Sequence, residues 1–281
     1  EGSGDAGIIN IETENLTIGE NTKILAFTSD SGSGGQINIK AGEINTPNST
    51  ISAKSTEMAT GNAGTIDITA QGNIATGTIT SAANNENKRA NGGNISITSE
   101  QGKINATQPI QSFSEGGNAG DITLQSKTDI TTNTISSHGK QEGGQINITS
   151  ETGNIDTSSG QFLANYSGGG DAGDVTIEAP QGNITTNDIY SYADGDGGQI
   201  NIQAGNNINI EGNSNIISAS EPPGESSSDL PGKGGDITLE AGNNINTRNA
   251  NIYSGADEGD TGKIDIVADN AIETGKIDLA S

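Results

Sequence analysis

The apolar positions of this chain recur in a short motif, Gly-x-Ile-x-Ile, that is repeated ten times. Within the motif apolar and polar residues alternate with a period of two, which predicts a strand with one buried face. Val or Leu replaces Ile at only three of the apolar positions. The motifs begin at Gly7, Gly35, Gly64, Gly93, Gly120, Gly144, Gly173, Gly198, Gly235 and Gly262.

Two further elements follow most motifs. A corner of the type Gly-Asn-Ile, as at Gly153-Asn154-Ile155, opens a second short strand. A segment of the type Ile-x-Ser, as at Ile135-Ser136-Ser137, forms a third. Because Gly and Asn tolerate a positive φ, we expect a tight turn at each corner. A small residue beside each Ile suits a narrow interior near a bend.

The spacing of the motifs is roughly 28 residues, the length of one supersecondary unit that must stack on its neighbours. Three strands and three turns per repeat predict an all-β fold, a right-handed three-sided parallel β-helix of about ten coils. With parallel strands about 4.8 Å apart, the rod is of order 50 Å long. We expect one domain over residues 1–281, with a protruding loop at 221–232 that holds three of the six prolines.

Composition alone is typical of a disordered chain, because only 29% of residues are hydrophobic and the net charge is −24. The apolar residues are periodic, however, and 39 of them are Ile against 7 Leu. Ile is β-branched and packs well on a pleated sheet. We therefore predict an ordered β-solenoid.

Charge and composition also exclude several classes of partner. The 12 Lys and Arg residues are scattered along an acidic chain, so nucleic acid and anionic membranes are unsuitable partners. No apolar run reaches the ~18 residues of a membrane span. The absence of Cys excludes disulfides and a thiolate metal site. No signal-peptide pattern begins at Glu1, so we expect a mature or excised piece.

The succession Gly-Gly-x-Ile-x-Ile-x-Ala, Gly-Asn-Ile, Ile-x-Ser resembles the filamentous-haemagglutinin-like repeats of large bacterial exoproteins, particularly cyanobacterial ones. The resemblance covers essentially the whole chain. It implies an extracellular or cell-surface rod, part of an adhesin or filament that is often exported by two-partner secretion. Two features depart from that family: the amino-terminal secretion domain is not visible, and ordinary repeats already begin at Gly7 and Gly262. We therefore expect either the middle of a longer rod or a subunit that stacks end to end.

An aromatic stripe is the first candidate binding site. The third residue after Ile in the third strand is expected to face outward, and in four consecutive coils it is Phe113, His138, Tyr166 and Tyr192, with Tyr190 nearby. Such rings would contact a surface glycan or protein ligand, or would only stiffen the sheet as a local ladder. The adjacent apolar pair Phe162-Leu163 leaves the register of Tyr166 open.

A weak calcium site is the second candidate, at Asp171, Asp194 and Asp196 in acidic loops. These loops match neither the helix-loop-helix pattern nor the nonapeptide calcium pattern, and a solvated acidic turn is the alternative. No other cofactor is expected.

A carbohydrate-active β-helix enzyme is a further alternative. Basic residues are few, and Glu12, Asp67 and Asp265 stand at polar strand positions that we expect to lie far apart along the rod. We therefore predict a non-catalytic structural rod.

Overall fold

The strands form one continuous parallel sheet that winds into a β-solenoid. The computed structural model describes residues 4–29, 31–86, 89–220, 232–256 and 259–280. Within these ranges the chain forms 24 strands and no helix. The predicted loop at 221–232 lies outside the described residues except for Gly232.

The first twelve strands, in chain order, are β1 (Ile9–Thr17), β2 (Lys23–Thr28), β3 (Ile37–Ser55), β4 (Ile66–Ala70), β5 (Ile74–Ala83), β6 (Ile95–Ser99), β7 (Ile104–Ala106), β8 (Ile110–Ser114), β9 (Ile122–Ser126), β10 (Ile130–Thr132), β11 (Ile135–Gly139) and β12 (Ile146–Ser150). The remaining twelve are β13 (Ile155–Asp156), β14 (Phe162–Ser167), β15 (Val175–Ala179), β16 (Ile184–Thr186), β17 (Asp188–Ala193), β18 (Ile200–Ala204), β19 (Ile208–Ile210), β20 (Asn215–Ser220), β21 (Ile237–Ala241), β22 (Asn244–Gly255), β23 (Ile264–Ala268) and β24 (Ala271–Ala280).

Each coil contributes one strand segment to each of three columns. Column one holds the Gly-x-Ile-x-Ile strands, column two the strands after the Gly-Asn corner, and column three the Ile-x-Ser strands. In the middle of the rod these are separate, as in β9, β10 and β11 of coil five. Towards the ends neighbouring segments fuse, so that β3 runs through all three columns of coil two.

The register between coils follows the repeat motif. In column one, Ile146 pairs with Ile122 of the coil before and Val175 of the coil after. The same pairing links all ten column-one strands within the described ranges, from β1 to β23. The prediction of a parallel β-helix of about ten coils is therefore confirmed.

The core of the rod is built from the inward Ile residues of the three columns. In coil six these are Ile146, Ile155 and Leu163, each no more than 1% exposed. Burying such a side chain contributes roughly 1.5–3 kcal/mol, and every coil repeats the layer. None of the Phe and Tyr residues belongs to this core, so all seven lie outside it.

The predicted reason for the corner glycines was wrong. Among the described residues, positive φ occurs only at Asn21 and Gly212. A Cβ on Gly153 would instead lie 2.5 Å from the backbone nitrogen of Asp129, one coil below. Corner glycines such as Gly102, Gly153 and Gly182 are therefore required by close stacking of backbones between coils, a contact that a local turn pattern does not reveal.

The corner Asn residues also act between coils. The backbone N–H of Asn154 donates to the Asp129 carboxylate at 2.8 Å, and the N–H of Asn183 donates to the Asn154 side-chain oxygen at 2.9 Å. Each side chain thus satisfies a backbone donor of the next coil, which stabilises the corner along the rod.

Candidate functional site

The outward surface of column three carries the aromatic residues of the chain. In each of its strands Ile points inward, so the residues one and three positions later point outward. The three Phe and four Tyr of the sequence all lie within the described residues and all belong to column-three strands. They are Phe27, Phe113, Phe162, Tyr166, Tyr190, Tyr192 and Tyr253.

The structure brings the predicted stripe into one register. His138 pairs with Phe113 on one side and with Tyr166 on the other, and Tyr166 pairs with Tyr192. Leu163 takes the place of the inward Ile, opposite Ile135, which resolves the register that the sequence left open for Tyr166. The four rings therefore occupy one outward row over four consecutive coils.

The rings pack edge to face along this row. The ring centroids of His138 and Tyr166 are 4.5 Å apart at an interplanar angle of 89°, and those of Tyr166 and Tyr192 are 5.1 Å apart at 61°. Tyr190, two residues before Tyr192 in the same strand, lies 6.1 Å from it at 73°. Edge-to-face geometry brings the positive edge of one ring to the negative face of the next, which stabilises the row.

Tyr253 lies two coils beyond Tyr190, separated from it by the buried Ile217, and was missed by the sequence prediction. It stands in the row of Tyr190, one position after the inward Ile of β22. The Tyr253 ring lies over Gly255. A Cβ on Gly255 would be only 2.0 Å from the Tyr253 hydroxyl oxygen, so a larger residue does not fit there. The signal was present in the sequence, because the motif Ile-Tyr-Ser occurs both at Ile189 and at Ile252.

The two outward rows of column three are almost without charge. From coil four to coil seven their eight positions are at least partly exposed and hold no Asp, Glu, Lys or Arg, whereas Thr80 and Ala82 of coil three and Ile217 and Ala219 of coil eight are buried. We call these eight positions the aromatic face. The eight exposed positions are Gln111, Phe113, Ser136, His138, Ala164, Tyr166, Tyr190 and Tyr192.

His138, the one His of the sequence, is the group of this face that titrates near neutrality. Partial burial beside its neighbours lowers the pKa of His138 below its usual value, and the charge of Lys140 lowers it further. At pH 7 the face is therefore neutral. Burial also raises the pKa of Tyr190, whose hydroxyl receives a hydrogen bond from the Asn215 side chain at 3.4 Å.

The acidic loop residues serve as caps between coils. The Asp171 carboxylate accepts a hydrogen bond from the backbone N–H of Asp196 at 2.9 Å, and the Asp196 carboxylate accepts one from the N–H of Lys233 at 2.8 Å. Asp194 lies in the same loop, and its N–H donates to the Ser167 carbonyl at 3.3 Å. Within the described ranges no three acidic, His or Cys side chains are grouped as a metal site. Calcium at these residues stays a prediction.

Open grooves lie on column one near the first coils. One of them, of about 690 Å³, is lined by Glu12, Glu14, Lys40 and Glu100 among others. Glu12 also shares a groove of about 490 Å³ with Asp67. The two carboxylates lie two coils apart in neighbouring outward rows, Glu12 in the row of Lys40 and Asp67 in the row of Asn38, so they line one groove without being stacked. Asp265 lies in coil ten, at the other end of the rod.

A buried ladder of polar side chains connects column three to column one. In coils three to nine the residue two positions after the inward Ile donates to the C=O of the glycine that begins its own coil and accepts from the N–H of the glycine that begins the next. These residues are Ser81, Ser112, Ser137, Asn165, Ser191, Ser218 and Ser254. The conspicuous Ile-x-Ser pattern is thus a hydrogen-bonding requirement as well as a matter of size.

Comparisons with protein-family profiles, with curated proteins and with solved structures find no match. In the described part of the chain there is no helix long and apolar enough to cross a membrane.

Proposed function

We propose that this chain is a non-catalytic structural rod at the cell surface, a segment of an adhesin or filament of the filamentous-haemagglutinin-like type. The observation that carries the proposal is the unbroken register of column one over ten coils. A shaft of constant cross-section holds whatever it presents at a fixed distance from its attachment. The rod acts as a rigid spacer, and its surface carries the groups that contact a ligand.

The hydrogen bonds between coils support this role. In each of seven coils a buried side chain bridges two successive repeat glycines, and at Ser137 the two distances are 2.9 and 3.0 Å. Buried and fully satisfied polar ladders of this kind rigidify a structure and specify one register. A stiff, uniform shaft is what a surface rod requires.

Surface labelling tests the location. Antibodies raised against the purified protein should label intact cells of the source organism. Antibodies against a cytoplasmic marker serve as the control and should label only permeabilised cells. Labelling that appears for both only after permeabilisation would contradict an extracellular rod.

A second candidate is a fibre subunit that stacks end to end, favoured by the two open end coils. Ile277 and Leu279, in the inward rows of coil ten, are 44% and 55% exposed. These end faces repeat the strand pattern of the middle coils. An open sheet edge with exposed apolar residues is suited to pair with another strand.

The direction of the backbone donors makes the two edges complementary. The N–H of Ile237 donates to the C=O of Lys263 in coil ten at 2.8 Å. Because successive residues of a parallel strand bond to opposite neighbours, the N–H groups of Ile264 and Ile266 face away from coil nine. By the same alternation the C=O of Ile8 faces away from coil two. A second copy would therefore place its Ile8 carbonyl opposite the Ile264 amide.

Electron microscopy of the purified protein tests this stacking. The wild type should form fibres whose axial repeat is about ten coils, or roughly 50 Å. Ile266→Pro removes an outward N–H and should abolish the fibres. Ile266→Ala loses the same apolar side chain but keeps the N–H, and should retain them. Equal fibre formation by the Pro and Ala variants, or single rods for the wild type, would rule out pairing through this edge.

A further inference from the structure

The distribution of aromatic residues is one-sided. All seven Phe and Tyr residues lie in column-three strands, and the chain has no Trp. The buried core is made of Ile, Leu, Val and Ala, so none of these rings is needed to fill the interior. Large aromatic side chains kept out of the core and gathered on one surface indicate a binding surface.

The aromatic face is also polar without being charged. Its eight exposed positions hold no Asp, Glu, Lys or Arg, although the chain carries 36 acidic residues. Hydroxyl and amide groups stand among the rings, from Gln111 and Ser136 in the middle coils to Asn215, which borders Tyr190. Such a surface offers ring faces and uncharged hydrogen-bonding groups side by side.

We propose that the aromatic face binds an uncharged polysaccharide that lies along the axis of the rod. A sugar ring has an apolar C–H face and a rim of hydroxyls, which suits an aromatic ring flanked by amides and hydroxyls. The row from Phe113 to Tyr192 offers one such position per coil, about 4.8 Å apart. A linear polymer of sugar units meets this row with one unit after another.

The net charge of the chain favours some ligands of the aromatic face over others. A net charge of −24 repels anionic polysaccharides and nucleic acids, whereas it does not repel a neutral glycan. The area of the aromatic face also favours a glycan over a protein partner. Four coils by five residues cover about 300 Å², well below the roughly 800 Å² that each partner contributes to a standard protein interface.

This inference names the ligand class of the proposed surface rod and rests on that function only for its biological setting. The binding itself is a property of the purified chain. Failure of surface labelling would remove the setting and leave the binding measurable, and the reverse also holds.

Affinity electrophoresis in native gels tests the proposal. Gels contain hydroxyethylcellulose, a galactomannan or no polymer, and alginate serves as the anionic comparison. We expect one of the two neutral polymers to retard the wild-type protein and alginate not to. The double variant Tyr166→Ala/Tyr192→Ala should weaken the retardation about tenfold, as the loss of two ring contacts predicts.

Phe27→Ala is the matched control. Phe27 stands in the same outward row and is 57% exposed, but Lys54 and Ala82 separate it from the stripe. Its loss should leave the retardation unchanged. Tyr166→Phe/Tyr192→Phe keeps the ring faces and should retain binding, while circular dichroism melts verify that each variant is folded.

Three outcomes would overturn the proposal. The first is no retardation of the wild type by either neutral polymer. The second is equal retardation of the wild type and the folded double Ala variant. The third is concentration-dependent self-association in sedimentation velocity that the double Ala variant abolishes, which would assign the face to a second copy of the chain.

Discussion

The hydroxyl of Ser137 accepts a hydrogen bond from the backbone N–H of Gly144 at 3.0 Å, although the two residues belong to different coils. The same hydroxyl donates to the C=O of Gly120 at 2.9 Å. One buried side chain thus connects the glycine at the start of its own coil with the glycine at the start of the next. The Ser of the Ile-x-Ser motif and the Gly of the Gly-x-Ile-x-Ile motif are therefore hydrogen-bonding partners.

Removing this hydroxyl should destabilise the rod. Ser137→Ala leaves the Gly144 N–H and the Gly120 C=O unsatisfied and buried, which costs about 1–3 kcal/mol in the free energy of unfolding. The smaller side chain itself fits, because Ala26 and Ala53 occupy the same position in coils one and two. Urea unfolding of Ser137→Ala and of the outward control Ser136→Ala measures the difference. Equal midpoints for both variants would show that the ladder does not stabilise the fold.

The repeat glycines should tolerate Ala only where no coil lies below. A Cβ on Gly144 would lie 2.3 Å from the carbonyl oxygen of Gly120, whereas a Cβ on Gly7 meets nothing within 4 Å. Gly144→Ala should therefore cost about 3 kcal/mol or more through the forced separation of two coils. Gly7→Ala, at the same motif position, should leave the melting temperature nearly unchanged. A similar loss in both variants would mean that conformational freedom, not close stacking, explains these glycines.

The strand register was predictable because the inward Ile positions repeat in every coil. The pairing of Ile146 with Ile122 follows directly from the motif. At Phe162 and Leu163 two adjacent apolar residues fit the pattern equally well, so only the structure shows that Leu163 points inward. A period-two pattern does not distinguish neighbouring apolar residues when both are large.

Contacts between coils were less accessible to sequence reasoning. The predicted positive φ at the corners follows from the local preferences of Gly and Asn, but the structure uses Gly153 for close approach to Asp129. Likewise Glu12 and Asp67 are two repeats apart in the sequence, but they line one groove in the structure. Such contacts join residues one or two repeats apart, which becomes visible only when the coils are stacked in register.

The pKa of His138 should lie below 6.5. Partial burial beside the Tyr166 ring disfavours the charged imidazolium, and Lys140 adds like-charge repulsion. Because the chain has one His, its titration is readily followed by NMR. Tyr166→Ala should raise the pKa by restoring water to the ring, and Lys140→Ala should raise it by a smaller amount. In urea the same His should titrate at its ordinary value.

This shift has a consequence for stability. Between the folded pKa and 6.5 the unfolded chain binds more protons than the folded one, so stability rises with pH across that window and is lost as pH falls through it. Replacing His138 by Gln should remove this contribution from the pH dependence of the urea midpoint. A folded pKa at or above 6.5 would contradict the desolvation seen at this ring.

The acidic loops should make the rod more stable in salt. Asp171 and Asp196 stand in one row on successive coils, a spacing of about 4.8 Å that lies well within the Debye length of roughly 8 Å at physiological ionic strength. Sodium chloride should therefore raise the melting temperature by screening like charges. Asp196→Asn keeps an oxygen that accepts from the Lys233 amide but removes the charge, so it should melt higher at low salt and respond less to sodium chloride.

Calcium separates screening from binding in the same experiment. In both Asp171 and Asp196 the Oδ1 atom accepts a hydrogen bond from a backbone amide of the next coil, so Oδ2 is the oxygen that a cation would bind. If oxygens of these residues converge on calcium, the melting temperature is higher in calcium chloride than in sodium chloride at matched ionic strength, and equal midpoints would leave only screening. A higher midpoint in calcium that Asp194→Asn abolishes would instead establish a calcium site at these three residues. No response to either salt would show that the carboxylates do not repel one another along the row.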